Sequence, residues 1–344
     1  MFAALPLWGI VAAFLGAALA IGLAGTKLAG VADKLADRTG MGEIMAGALF
    51  VGGSTSLPGA ITSVTTAWGG HPQLAVGNAI GGLTAQTAFL AVADLVYRRA
   101  NLEHAAASIT GLTQGTLLVS LLTLPLLAVN GPQWTLFGVH PVSVLLVVAY
   151  GLGLRLLADV KDTPMWTPKR TEATMSEVDA PPEGAKGAGT GALWGWFAGL
   201  AGVTAVAGWV VGETSIALVA RLDVSESAFG TLFTAVANSL PELVTAIAAV
   251  RLGAVHLAVG GVVGGNAFEV LYLAGADVAY RDGSIYHAFT AENQFTTLVA
   301  VLMTGVLLLG MLYRQRVGPA RIGFESVIIL VLYALSAALL LLEA

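Results

Sequence analysis

The chain has 344 residues, 56% hydrophobic and 11% charged, with a mean hydropathy of +0.82 and a net charge of −5. Soluble domains carry about 25% charged residues, so this composition cannot clothe a water-facing surface and a soluble enzyme is excluded. The surplus of 21 acidic over 16 basic residues excludes a basic nucleic-acid-binding face, and the absence of cysteine excludes disulfide frameworks and thiolate chemistry.

Stretches near the ~20 apolar residues needed to cross a bilayer are predicted at 5–28, 43–67, 74–97, 106–129, 135–157, 191–214, 227–250, 255–279, 294–313 and 324–342. Ala17-Ala18-Leu19-Ala20 looks like a cleavage region, but no basic residue precedes the first apolar run, so it is expected to stay as a span. The polar stretch after the fifth span, with Pro164, Pro168, Pro181 and Pro182, reads as a flexible linker. Residues 1–158 form one expected half, 159–189 the linker and 190–344 the other half. In this layout Lys27, Lys34, Arg38, Arg98, Arg99, Arg155, Lys161, Lys169, Arg170, Lys186, Arg251, Arg314, Arg316 and Arg321 fall on one side, and only Arg221 and Arg281 on the other. The positive-inside rule then makes the linker cytoplasmic and puts both termini outside.

The halves repeat at an offset of 183. Gly25 pairs with Gly208, Glu43 with Glu226 and Gly47 with Gly230; Ser56-Leu57-Pro58 falls on Ser239-Leu240-Pro241 and Gly81-Gly82 on Gly264-Gly265. Ala93-Asp94 and Tyr97-Arg98 match Ala276-Asp277 and Tyr280-Arg281. Apolar bias would not align Pro, Asp, Tyr and Arg in one frame. Five spans per half make the second copy enter the membrane upside down, so the expected fold is an all-α polytopic membrane protein of ten transmembrane helices in two inverted five-helix repeats.

Pro58 and Pro241 lie near mid-span, where each removes a helical hydrogen bond and leaves a carbonyl that must find a partner. Thr55, Ser56, Asn238 and Ser239 stand beside these breaks, and Glu242 follows the second proline. Unwound carbonyls and hydroxyl oxygens suit hard cations, with Glu242 supplying charge. The glycine-rich neighbouring spans bring Asn78, Asn266 and the equivalent pair Gln86 and Glu269. A mid-bilayer carboxylate costs about 2.5–3.5 kcal/mol, so Glu242 and Glu269 need a cation, a proton or a donor; they are the two metal-ligand candidates. The hydroxyls and amides equally suit a second role, satisfying broken backbone or tying helices together. Asp94 and Asp277, each one turn before an arginine, suit i,i+4 ion pairs that anchor span ends. The five histidines show no metal-ligand spacing.

The runs Ser239-Leu240-Pro241-Glu242-Leu243-Val244-Thr245 and Ala258-Val259-Gly260-Gly261-Val262-Val263-Gly264-Gly265-Asn266-Ala267-Phe268, with Ser54 to Pro58 and Ala75 to Gly81 in the first copy, resemble the calcium/cation antiporter superfamily of sodium/calcium and cation/proton exchangers. That resemblance implies alternating-access exchange of a metal cation, Ca2+ or monovalent, against Na+ or H+, with no cofactor and with small inorganic cations and the lipid bilayer as partners; the oligomeric state stays open. Where the family carries its first-repeat glutamate, this chain has Gly59. Glu242 and Glu269 still balance one divalent cation, two Na+ or two protons. A degenerate member that binds a cation or lipid without exchange, acting as sensor or scaffold, is the alternative. An intramembrane hydrolase finds only Gly52-Gly53-Ser54-Thr55-Ser56, with no base in the same span.

Overall fold

A computed structural model describes residues 2–39, 52–97, 99–175, 190–318 and 322–343. The long helices are α1 (Leu7–Thr39), α2 (Leu57–Trp68), α3 (Pro72–Val96), α4 (Ile109–Asn130), α5 (Pro141–Asp162), α6 (Thr190–Leu222), α7 in two pieces (Glu226–Asn238 and Leu240–Leu252), α8 (Val255–Ala279), α9 (Ala291–Tyr313) and α10 (Phe324–Glu343). The only β pairing among the described residues is an isolated bridge between Leu136 and Val139.

The helix starts follow from local chemistry. Pro72 and Pro141 open α3 and α5 at positions where a missing N–H costs nothing. The Ser108 hydroxyl accepts from the Gly111 amide at 3.0 Å to cap α4, and Thr290 with Asn293 forms a reciprocal capping box on α9. Gly253, at φ +80°, ends α7 in the left-handed region that glycine tolerates.

Among the described residues eight helices are long and apolar enough to cross a membrane: α1, α3, α4, α5, α6, α8, α9 and α10. The two pieces of α7 pass the same test only together, bent by 49° at Ser239, and counted as one span they bring the number to nine. The expected second span, 43–67, is described only from residue 52 onward, as a short turn Gly53–Thr55 leading into α2; Glu43 and Gly47 lie outside the described residues. Helices α3 and α8 sit in the interior, whereas α4, α5 and α10 turn Leu127, Val144, Leu152 and Leu335 outward. Outward leucine and valine on this scale are what acyl chains require, and exposed Trp8, Trp68, Trp134 and Trp196 near helix ends fit the interfacial aromatic belt. The chain is thus an integral, multi-pass membrane protein.

Small residues let the interior helices close on each other. A Cβ on Gly81 would stand 2.5 Å from the Thr231 Cα, so α3 and the first piece of α7 meet backbone to backbone. Positions 183 apart make matched contacts of this kind: Gly25 of α1 lies against Pro241 of α7, and Gly208 of α6 lies against Pro58 of α2.

The two aspartates repeat the exchange at the helix ends. Asp94 accepts from the Leu102 amide at 2.7 Å, the Gly323 amide at 3.1 Å and the Ser326 hydroxyl at 2.8 Å. Asp277 accepts from the Ile285 amide at 2.9 Å, the His140 amide at 2.7 Å and the Ser143 hydroxyl at 2.7 Å, each the residue at the same offset, and also from the Ser284 hydroxyl. The expected Asp277–Arg281 ion pair is therefore replaced by neutral donors, and the Arg281 guanidinium donates to the Val278 carbonyl instead. The reason is burial: both aspartates are wholly enclosed, where short fixed amides and hydroxyls satisfy a carboxylate without desolvating a cation. Arg98, the expected partner of Asp94, lies outside the described residues.

The segment that follows α5 is docked on the helix ends. Between α5 and α6 the described residues reach Met175, whose amide donates to the Ala105 carbonyl at 3.0 Å, while the Arg314 guanidinium donates to the Lys169 carbonyl at 2.6 Å and to the Thr174 hydroxyl at 3.0 Å.

Candidate functional site

Two helix interruptions lie against one set of side chains: Tyr272 reaches the Ser56 carbonyl and Gln86 the Ser239 hydroxyl. After the turn Gly53–Thr55, Ser56 keeps right-handed dihedrals (φ −80°, ψ −8°) and α2 starts with Pro58 in its first turn; in α7, Ser239 (φ −93°, ψ 7°) separates Asn238 from Leu240, with Pro241 in the first turn of the second piece. Each proline sits in a first turn, where a missing N–H is tolerated, and the backbone at both interruptions stays paired: the Ser56 amide donates to the Gly52 carbonyl and the Ser239 amide to the Ala235 carbonyl, each at 3.0 Å. A five-residue wide turn, Gly230–Thr234, precedes the α7 break and holds the glycine that packs on α3.

The central polar cluster draws on α2, α3, α7 and α8. The Gln86 amide donates to a Glu269 carboxylate oxygen at 2.5 Å and to the Ser239 hydroxyl at 3.3 Å. Gln86 and Glu269 occupy equivalent places in the two copies, so the pseudosymmetric pair meets directly. The Tyr272 hydroxyl, one turn along α8, donates to the Ser56 carbonyl at 2.5 Å and faces the same Glu269 oxygen at 3.3 Å. Asn266 donates to the Thr87 hydroxyl at 3.0 Å and reaches the Leu83 carbonyl at 3.4 Å. Thr55 and Glu269 stand beside Glu242, and the Thr55 hydroxyl donates to the Gly52 carbonyl at 3.1 Å.

What this cluster leaves undone defines its chemistry. Both oxygens of Glu242, Oε2 of Glu269, Oε1 of Gln86, Oδ1 of Asn266 and Oγ of Ser56 are buried with no hydrogen-bond partner. Glu242 is 7% exposed, Glu269 4% and Gln86 0%. Buried oxygens without donors cost free energy, the more so when charged. A set made of carboxylate, amide and hydroxyl oxygens matches a hard cation or protons, not a soft metal. Among the described residues no group of three or more histidine, aspartate or glutamate side chains is placed to hold a metal ion.

The other expected site residues lie one layer away. The Asn238 amide donates to Asn78 Oδ1 at 2.8 Å, and Asn78 donates to the Ser63 hydroxyl at 2.8 Å and the Gly59 carbonyl at 3.0 Å. Thr62 donates to the Gly208 carbonyl at 2.7 Å and to the Pro58 carbonyl at 2.9 Å. These two asparagines spend their amides tying α2, α3 and α7 together. Tyr272, Thr87, Thr62 and Ser63 were not singled out from the sequence. Tyr272 carried a usable signal, an aromatic hydroxyl three residues after a mid-span glutamate; the others are ordinary threonines and a serine until the packing is known.

The chain is similar to known proteins in sequence and in fold. The profile of the sodium/calcium exchanger protein family matches residues 9–157 and 191–342, on either side of the linker. Inner membrane protein YrbG of Escherichia coli K12 is 35% identical over 80 residues, 23% of this chain and 25% of that protein. Sodium/calcium exchanger MaX1 of Methanosarcina acetivorans is 33% identical over 90 residues, 26% of this chain and 24% of that one. These alignments span about a quarter of the length of the relatives. The fold is similar to the H+/Ca2+ exchanger CAX, with a TM-score of 0.67 at 14% identity over 97% of this chain and 86% of that one. It is also similar to the sodium-calcium exchanger NCX_Mj, with a TM-score of 0.63 at 18% identity over 97% and 99%. Since the profile takes in nearly all of both halves, the chain belongs to the sodium/calcium exchanger protein family.

Proposed function

We propose that this membrane transporter exchanges a metal cation, Ca2+ or a monovalent ion, against H+ or Na+ by alternating access, with the ion held between α2, α3, α7 and α8. The observation that carries this reading is the set of unpartnered buried oxygens on Ser56, Gln86, Glu242, Asn266 and Glu269, drawn from all four elements. A cation or protons among the oxygens would satisfy them, and the helix interruptions at Ser56 and Ser239 lie beside the set. The exchanged contacts of Gly25 with Pro241 and Gly208 with Pro58, and of Asp94 and Asp277, support two inverted five-helix halves, residues 1–158 and 190–344, which completes a ten-span plan with the linker cytoplasmic and both termini outside. Pseudosymmetric halves give two alternative closed ends around one site, which is the requirement for alternating access.

Two carboxylates balance one Ca2+, two Na+ or two protons. Proton-coupled exchange is favoured over a site filled by several Na+ at once, because Glu242 and Glu269 accept protons in place of the cation. Purified protein is expected to gain thermal stability on adding its cation, and Glu242→Gln and Glu269→Gln are each expected to abolish most of that gain. Proteoliposomes are expected to show coupled cation movement under an imposed proton or Na+ gradient. Absence of any coupled flux of Ca2+, Na+, K+ or H+ sinks the antiporter reading. The sensor or scaffold alternative draws on Gly59, whose counterpart in the second copy is Glu242, and a cation-dependent shift without flux would favour it.

A further inference from the structure

The repeat register sets Gly59 opposite Glu242, and the space over Gly59 is occupied. A Cβ built there would stand 2.9 Å from Tyr272 Cε2, 3.2 Å from its hydroxyl and 3.4 Å from Cζ. Side chains do not approach that closely, and the ring is enclosed and cannot swing aside cheaply. Tyr272 therefore stands where a carboxylate symmetric with Glu242 would have to stand.

Resting on the reading of this cluster as a cation site, we propose that Tyr272 is its specificity-determining residue: its ring fills the space over Gly59 and so withholds a third carboxylate from the site. The hydroxyl has one proton and two acceptors, the Ser56 carbonyl at the α2 break and Glu269 Oε1. The Ser56 contact is the shorter of the two, and one side chain thus ties Glu269 of α8 to the backbone just before α2. The charge of the site stays at two carboxylates, which favours proton exchange over retention of a doubly charged ion with further Na+.

Substitutions at Gly59 and Tyr272 test this by separate readouts. Gly59→Glu alone is expected to lower the thermal midpoint of the purified protein, and Tyr272→Ala with Gly59→Glu to recover it and to bind Ca2+ at least about tenfold tighter than the unaltered chain in a Ca2+-dependent thermal shift. Tyr272→Phe fills the same space without the hydroxyl; combined with Gly59→Glu it is expected to leave the thermal midpoint as low as in Gly59→Glu with the tyrosine in place, because the ring still occupies the space. The proposal is overturned if Gly59→Glu is as stable as the unaltered chain, if the double variant with Tyr272→Ala binds Ca2+ no better than Tyr272→Ala, or if Tyr272→Phe recovers the stability of Gly59→Glu as fully as Tyr272→Ala does. Should the unaltered chain respond to no cation at all, the antiporter reading falls first, and the ion-free stabilities of Gly59→Glu and the double variant still decide whether the tyrosine fills the glycine's space.

Discussion

At the scale of single residues, the site is a problem of satisfying oxygens where water is scarce. Glu269 has one strong donor, the Gln86 amide at 2.5 Å, and shares the Tyr272 hydroxyl with the Ser56 carbonyl. Hydrogen bonds to a charged group contribute about 1.5–3 kcal/mol, so Gln86→Leu is expected to destabilise the ion-free protein by about that much, read as a fall in thermal midpoint. The same variant should weaken the cation-dependent shift, because Gln86 Oε1 is itself one of the unpartnered oxygens. A Gln86→Leu protein with unchanged stability would show that the carboxyl is protonated and self-sufficient without the amide. Asn78 and Asn238 differ in that their amides are engaged with each other and with neighbouring groups, the helix-tying alternative to a ligand role.

At the scale of elements, glycine decides where helices touch. On α6 the Cβ position of Gly208 is filled by the Pro58 backbone, with Cα at 2.8 Å, so any side chain there pushes α6 off the α2 break. Overpacking of this kind costs about 1–3 kcal/mol, and Gly208→Val is expected to lie at the upper end, measured by thermal unfolding in detergent. Gly16 on α1 has open space around its Cβ position. Gly16→Ala should leave stability unchanged or raise it by up to about 1 kcal/mol through helix propensity alone. If the two substitutions behaved alike, close packing of α6 on α2 would not be what requires glycine at 208.

At the scale of the whole molecule, two groups outside the spans tilt stability toward acid. Burial, with the carboxylates of Asp94 and Glu325 nearby, pushes the Glu103 carboxyl well above the usual carboxylate range. Its hydrogen bond with Glu226, 2.6 Å long, raises the His71 imidazole above its ordinary value against the opposing effect of burial. In each case the folded state holds a proton more tightly than the unfolded chain does. The stabilisation is complete below the unfolded value, near 4.5 for glutamate and near 6.5 for histidine, and is lost as pH rises through the raised folded value. Thermal midpoints scanned from about pH 5 to about pH 9 should therefore fall more steeply for the unaltered chain than for Glu103→Gln, with Glu226→Gln removing the smaller histidine contribution. A variant slope as steep as the parent's would contradict this assignment.

Composition, apolar run length and the 183-residue register determined the membrane class, the approximate positions of the eight helices long and apolar enough to cross, and the family likeness, because a bilayer enforces length and polarity residue by residue and a duplicated unit repeats its rare residues in frame. The same register foretold that Gln86 and Glu269 are counterparts, though not that they meet. Only the tertiary structure decided which polar groups are spent on holding helices together and which are left open. It replaced the Asp277–Arg281 pair with amides and hydroxyls, docked Met175 on the helix ends, and put Tyr272 over Gly59. Those outcomes depend on which side chains reach one another across helix interfaces, and distance between helices is a property of packing that no linear pattern encodes.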